Sequence, residues 1–247
     1  MKKIALLSAA ALLASAPASA EYLYGFGNIS VNYLDWSKNT QDRTGFQEDF
    51  AYLELEGGAG FDWGEVYGFF DLENVQDGSD ELRTAYKGTI AYKIADTDFR
   101  LYGQHYATDS KGFAANNTVL GGQYRFQGDG WFVTPWVGAH MTITNPSWND
   151  GFTGFNGGMF GWTAVYNFTA WDQKFWISNW HESEFARKSD YTDVSGETDD
   201  VSMNGALAFW WDATEHVTTG IQYRYAYNKL GTVGNQNAFI YSLRYNF

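Results

Sequence analysis

Ala238-Phe239-Ile240-Tyr241-Ser242-Leu243-Arg244-Tyr245-Asn246-Phe247 closes the chain, and its alternation decides the fold. Phe239, Tyr241, Leu243, Tyr245 and Phe247 fall on one side of an extended segment, with Ala238, Ser242, Arg244 and Asn246 on the other. Successive side chains of a strand point to opposite faces, so one face here is oily and the other polar. The same beat recurs upstream in Val201, Met203, Gly205, Leu207, Phe209 and Trp211. It recurs again in Val217, Thr219, Ile221, Tyr223 and Tyr225, and in Leu120, Gly122, Tyr124 and Phe126. After Glu21 no run of about 18 apolar residues occurs, so the sequence holds no helical membrane span there.

Working outward from that segment, the beat divides the chain into twelve strands. They are 22–36, 46–61, 64–75, 83–94, 98–108, 116–127, 130–144, 156–168, 174–184, 201–212, 215–230 and 236–247. Connections after even-numbered strands are short: Asp62-Trp63, Ala95-Asp96-Thr97, Gln127-Gly128-Asp129, Ala170-Trp171-Asp172 and Ala213-Thr214. Those after odd-numbered strands are long and polar, such as Ser37–Gly45, Asn145–Phe155 and Phe185–Asp200. The pattern predicts an all-β fold: a transmembrane antiparallel β-barrel of about 12 strands, with short periplasmic turns and long extracellular loops. Strands of a soluble sandwich would average about 5–6 residues, roughly half the length read here. Trp63, Trp131, Trp171 and Trp211 sit near the short turns, where an interfacial aromatic girdle belongs.

Composition agrees. The 247 residues include 11 Trp, 17 Tyr and 19 Phe beside 27 Gly and 3 Pro, which is ample apolar surface for an ordered chain. A net charge of -13 argues against a nucleic-acid partner. The absence of cysteine excludes disulfides, thiolate nucleophiles and Cys-based metal sites. Met1-Lys2-Lys3, the apolar run Ile4 to Leu13 and Ala18-Ser19-Ala20 form the three regions of a secretory signal peptide. Residues 1–20 are thus expected to be removed on export, leaving 21–247 as the barrel.

With the oily faces toward lipid, the polar faces line a lumen. Strand two then contributes Glu48, Phe50, Tyr52, Glu54 and Glu56, and strand three Glu65, Tyr67, Phe69, Asp71 and Glu73. Arg83, Lys87 and Lys93 face inward from strand four, and Arg100, Arg125, Arg224 and Arg244 fall on polar faces elsewhere. An acidic strip opposed to a basic wall would set a transverse field across a narrow pore; alternatively, these charges pair and rigidify the bore. Lumenal Phe50, Tyr52, Tyr67, Phe69, Tyr102, Tyr106 and Trp136 are candidate stacking surfaces, each base–aromatic contact being worth about 1–3 kcal/mol. A solute with a flat base and a hydroxylated sugar suits that mixture of rings and carboxylates. The residues expected to line its path are Phe50, Tyr52, Glu54, Glu56, Tyr67, Phe69, Asp71, Glu73, Lys87, Arg100 and Arg224.

Hydrolytic chemistry is not supported. A nucleophilic triad needs Ser and His within hydrogen-bond reach plus an orienting acid or amide. The four histidines are scattered: His105, His181 and His216 on lipid faces or rims, and His140 alone in the lumen. The Glu54/Glu56 and Asp71/Glu73 pairs are ordinary alternation in an acidic lumen rather than a glycosidase couple. Gly25-Phe26-Gly27 lacks the third glycine of a dinucleotide loop. No catalytic residue, cofactor or dedicated metal site is expected.

Ser30-Val31-Asn32, Phe50-Ala51-Tyr52-Leu53-Glu54-Leu55-Glu56, Phe61-Asp62-Trp63, Tyr67-Gly68-Phe69-Phe70-Asp71 and the closing Arg244-Tyr245-Asn246-Phe247 together resemble the Tsx nucleoside-specific channel-forming family. The likeness is strongest to its OmpK-like outer-membrane protein branch. It implies a monomeric, multi-pass barrel in the Gram-negative outer membrane, surrounded by lipid and lipopolysaccharide. It also implies passive diffusion of nucleosides or similar small solutes, and surface loops that serve as a phage receptor. Two other readings stand beside it: a surface recognition barrel with little transport, and a channel for acidic oligosaccharides.

Overall fold

A computed structural model describes residues 20–79 and 81–247; the expected signal segment lies outside them, apart from Ala20. The strands are β1 (Tyr22–Trp36), β2 (Phe50–Phe61), β3 (Gly64–Glu73), β4 (Arg83–Lys93), β5 (Phe99–Ser110), β6 (Phe113–Tyr124) and β7 (Phe126–Gly128). They continue with β8 (Trp131–Pro146), β9 (Phe152–Ala170), β10 (Gln173–Phe185), β11 (Ser202–Asp212), β12 (Val217–Lys229) and β13 (Thr232–Asn246). Apart from β6 and β7, neighbours in sequence pair antiparallel, β6 pairs with β8, and β1 pairs with β13. β7 continues β6 beyond Arg125 and pairs with the start of β8, so the segments make twelve staves of a closed barrel.

Closure joins the two ends of the chain. β1 runs against β13 in unbroken register from Asn28↔Asn246 to Trp36↔Ala238. The Phe247 N–H then donates to the Gly27 carbonyl at 3.0 Å. Along β1, Asn28, Ser30 and Asn32 are buried inward, whereas Ile29, Val31 and Tyr33 are exposed on the outer face. The outward rows of Leu53, Leu55, Leu101, Leu120, Phe209, Ile221 and Leu243 continue that apolar belt around the wall. Strands of 10 to 19 residues are long enough to cross a bilayer when tilted.

The two rims differ in the expected way, with corrections. At the short-turn rim, Trp171 (φ 50°) and Asp172 (φ 58°) both adopt left-handed backbone, the geometry that suits the twist of a two-residue hairpin. Trp171 is 89% exposed there, where an interfacial ring belongs. At the loop rim several strands run further than the alternation indicates. β5 and β6 are joined by Lys111-Gly112, and β12 and β13 by Leu230-Gly231, so neither connection is a long loop. The loop expected over Asn145–Phe155 shrinks to 147–151, because a register shift between Ala139 and Met141 lets the β8–β9 ladder continue. Gly157, at φ 77°, supplies the turn of backbone within that irregularity.

Glu48 is also displaced from its expected place, since β2 begins only at Phe50. The Asp49 carboxylate accepts from the Trp36 N–H at 2.7 Å, taking the position a ladder carbonyl would hold. Two loop-rim connections carry a short helix, α1 (Lys38–Thr44) and α2 (Ser189–Ser195).

Gly121 of β6 pairs with Gly138 of β8. A Cβ on Gly121 would lie 2.0 Å from the Val137 carbonyl oxygen, and backbone cannot yield as a side chain can. Gly121→Val is expected to block closure of this seam, so the variant loses the compact, heat-modifiable form seen on unheated gels. Gly88→Ala, where an added Cβ meets nothing within 4 Å, is expected to migrate as the parent does.

Candidate functional site: the lumen

All eleven sequence-selected lining residues lie on inward rows, but they form separate groups rather than one surface. Glu54 and Glu56 converge on Arg244, at 3.7 and 3.0 Å. The Tyr67 hydroxyl donates to Glu56 at 2.7 Å, and Tyr67 packs edge-on against Phe69. Phe50 and Tyr52 sit with Leu34, Trp36, Ala238 and Ile240 in an apolar pad on the β1–β2–β13 wall. Glu73 pairs with Arg83 on the neighbouring strand, and the Arg83 guanidinium also covers the Phe50 ring at 4.6 Å. Near the short-turn rim, Arg100 and Arg125 both hold Glu65, at 2.5 and 2.9 Å.

This pairing decides between the two electrostatic readings. Glu54 and Glu56 share Arg244, Glu65 holds two arginines and Glu73 has Arg83, so strip and wall do not face each other as opposed blocks. The field across the bore is local and alternating. Asp71 lies in register beside Glu54, and its Oδ1 is buried without a hydrogen-bond partner. Among the described residues Arg224 joins no ion pair; its guanidinium rests 5.2 Å from the centre of the Trp180 ring.

The rings form two further clusters. Tyr102 stacks on Trp136 at 5.1 Å, with Val119, Met159 and Ala91 around them, on the β4–β9 wall. Trp176 and Trp210 stack at 4.8 Å and 14°, and the Arg244 guanidinium lies 3.9 Å from the Trp210 centroid. Such a cation over indole contributes about 0.5–2 kcal/mol, rising as water is excluded. A guanidinium held between an indole face and two carboxylates is a fixed donor beside fixed acceptors and a flat plane.

The family model for the nucleoside-specific channel-forming protein Tsx matches residues 31–247. The chain belongs to this family. Among solved structures it is similar to the NanC porin, with a TM-score of 0.52 and 11% identity over 88% of this chain and 98% of that one. It is also similar to the KdgM porin, with a TM-score of 0.46 and 9% identity over 89% of this chain and 99% of the other. The likeness to NanC speaks to the barrel alone; the family identifies an outer-membrane channel for small solutes.

Within this Tsx-family lumen, sequence reasoning missed the contribution of β10. Its inward row carries Trp176, Trp180, Glu182 and Glu184, while Asn179, His181 and Ser183 face outward. The outward polar groups are satisfied among themselves: Asn179 accepts from the Trp162 indole N–H at 2.7 Å, and His181 contacts the Tyr225 hydroxyl at 3.0 Å and Ser183 at 2.8 Å. Among the described residues no carboxylate bonds His181 to orient it, so these contacts do not make a triad. His140 is fully buried in the lumen and bonds Asn117 at 2.9 Å, a structural role.

The loop between β10 and β11 folds over the mouth instead of standing clear of it. Arg187 is buried and reaches Glu197 at 2.5 Å and Glu184 at 3.6 Å, while Lys229 also holds Glu184. Arg187 further donates to the carbonyls of Thr198 and Asp199, and Glu197 accepts the Gly231 N–H at 3.1 Å. Tyr191 of α2 is buried against Phe152, closing the cage.

Burial pushes the Glu197 carboxyl above the usual carboxylate range, and Lys229, Arg187 and the Gly231 N–H do not offset it. A raised value in the folded state means that the proton binds the folded loop more tightly than the free chain. The contribution is fully present below the unfolded value and lost as pH rises through the folded one. Amide exchange of residues 189–195 is therefore expected to be no faster at mildly acidic than at neutral pH. Glu197→Gln, which keeps the acceptor for Gly231, is expected to leave the loop protected, whereas Arg187→Ala exposes it at both pH values.

Proposed function

We propose that this channel passes nucleosides by passive diffusion, with the Arg244 tier as the principal contact. One observation carries the reading: Trp210, Arg244, Glu54, Glu56 and Tyr67 put a flat plane, a fork of donors and a set of acceptors on one level of the bore. A base can lie against the half-buried Arg244 guanidinium, whose other face rests on the Trp210 indole, while sugar hydroxyls exchange hydrogen bonds with the carboxylates and phenol. Phe50, Tyr52, Phe69, Asp71, Glu73, Lys87, Arg100 and Arg224 line the remaining path. An acidic oligosaccharide is the weaker candidate, because Arg83, Arg100, Arg125 and Arg244 are each engaged by a carboxylate and offer no free cationic track.

The protein in planar bilayers is expected to show small unit conductance that falls when adenosine or thymidine is added. Tyr67→Ala, removing one ring and its bond to Glu56, is expected to weaken that block about tenfold, equivalent to about 1.4 kcal/mol of stacking. Conductance untouched by millimolar nucleoside would remove the substrate assignment.

The loop rim also supports a surface role. Trp148, in 147–151, is 66% exposed and stacked on Phe113 at 6.0 Å and 11°, a held aromatic surface facing outward. We infer that phage attaches here. Trp148→Ser is expected to lower phage adsorption while nucleoside block stays as in the parent; equal adsorption would refute the assignment.

A further inference from the structure

One link in the bore joins opposite walls. Lys87 Nζ on β4 reaches Glu182 Oε1 on β10 at 2.6 Å. Around the barrel, β5, β6, β8 and β9 separate those strands one way, and β3, β2, β1, β13, β12 and β11 the other. Four staves on one side and six on the other make the link nearly a diameter. Every other ion pair among the described residues joins staves at most three steps apart or involves a loop residue.

The link is braced from both walls. Gln104 on β5, diagonal to Lys87 in the ladder, donates from Nε2 to the same Glu182 oxygen at 3.0 Å, and its Oε1 accepts from the Tyr102 hydroxyl at 2.7 Å. From the far wall Trp180 offers its ring to Lys87, whose Nζ lies 5.5 Å from the centroid. Only 15% of the Lys87 and 13% of the Glu182 side chain is exposed. A solute crossing this level must part an ammonium, a carboxylate and an amide that are already satisfied.

We propose that the Lys87–Glu182 pair, with Gln104, is the selectivity bar of this channel. Because it sums to zero charge, it favours neither sign of small ion. Because its groups are desolvated, a solute displaces it at low cost only by returning both a donor and an acceptor in the same plane. Neutral solutes rich in hydroxyl, amide or amine groups meet that demand; inorganic ions and apolar molecules do not. The proposal rests on the channel reading, and not on nucleosides being the solute.

The test is ionic current alone, with no nucleoside present. Lys87→Met leaves Glu182 as an uncompensated anion in an opened bore. Conductance is expected to rise and the reversal potential in a salt gradient to shift toward cation preference. Glu182→Gln is expected to shift it toward anion preference, and the double swap Lys87→Glu with Glu182→Lys to restore the parental reversal potential. Heat-modifiable migration on gels confirms that each variant has formed its barrel. Folded single variants with parental conductance and reversal potential would overturn the proposal, as would a swap that fails to restore selectivity. Neither outcome depends on whether adenosine or thymidine blocks the parent channel.

Discussion

A backbone amide in hydrocarbon has no water to bond, and each one left unpaired costs several kcal/mol. Pairing β1 with β13 removes the last two free edges at once, and the rest of the structure follows from that seam. Only a closed ring lets the outer face be wholly apolar side chain, as it is along Ile29, Val31, Leu243 and Tyr245. The Phe247 N–H bonded to the Gly27 carbonyl extends the seam past the end of β13. The ring also fixes how much room is left inside.

That room is small, and its occupants are large. Trp36, Phe50, Tyr52, Tyr102, Trp136 and Trp210 are buried inward side chains, and charged groups must fit between them. A charge confined there without a counter-ion would be costly, so most find one across a neighbouring strand or across the bore, while Arg224 rests on the Trp180 ring. Glu65 is shared by two arginines, Arg244 by two glutamates, and Glu182 reaches over to Lys87. The two apolar pads stand on different walls, so polar groups occupy the ground between them.

Much of this is legible in the sequence. Strands β2 and β3 alternate cleanly, so Glu54, Glu56, Tyr67 and Asp71 could be placed on the inner face by counting in twos. β10 could not. Its inward row includes two tryptophans and its outward row Asn179, His181 and Ser183, which inverts the hydropathy that period-two reading depends on. The inversion survives because Asn179 donates to the Ala206 carbonyl, and His181 bonds Ser183 and Tyr225. Partner choice was equally hidden. Parity says that Lys87 points inward, but only the ring order brings β10 opposite it. The inward fold of the mouth loop rests on Arg187 meeting Glu184, Glu197 and two carbonyls, contacts that no periodicity announces. The strand extensions past Thr108 and Thr144 were missed because small and polar residues there carry too little hydropathy contrast.

A lumen built this way reads solutes by different physics from a charged porin. Opposed blocks of charge act over a Debye length, about 8 Å at physiological salt, and sort ions before they touch the wall. Neutralised pairs have no such reach; their dipoles fade within a few ångströms and are felt only on contact. Discrimination then depends on whether a solute can replace the hydrogen bonds that it breaks, because a buried group left unpaired costs about 1–3 kcal/mol. A half-buried aromatic face such as that of Trp180 adds affinity for flat solutes without adding charge. Net acidity on the loops and neutrality in the bore are therefore compatible properties, one governing solubility and approach at the surface, the other governing passage.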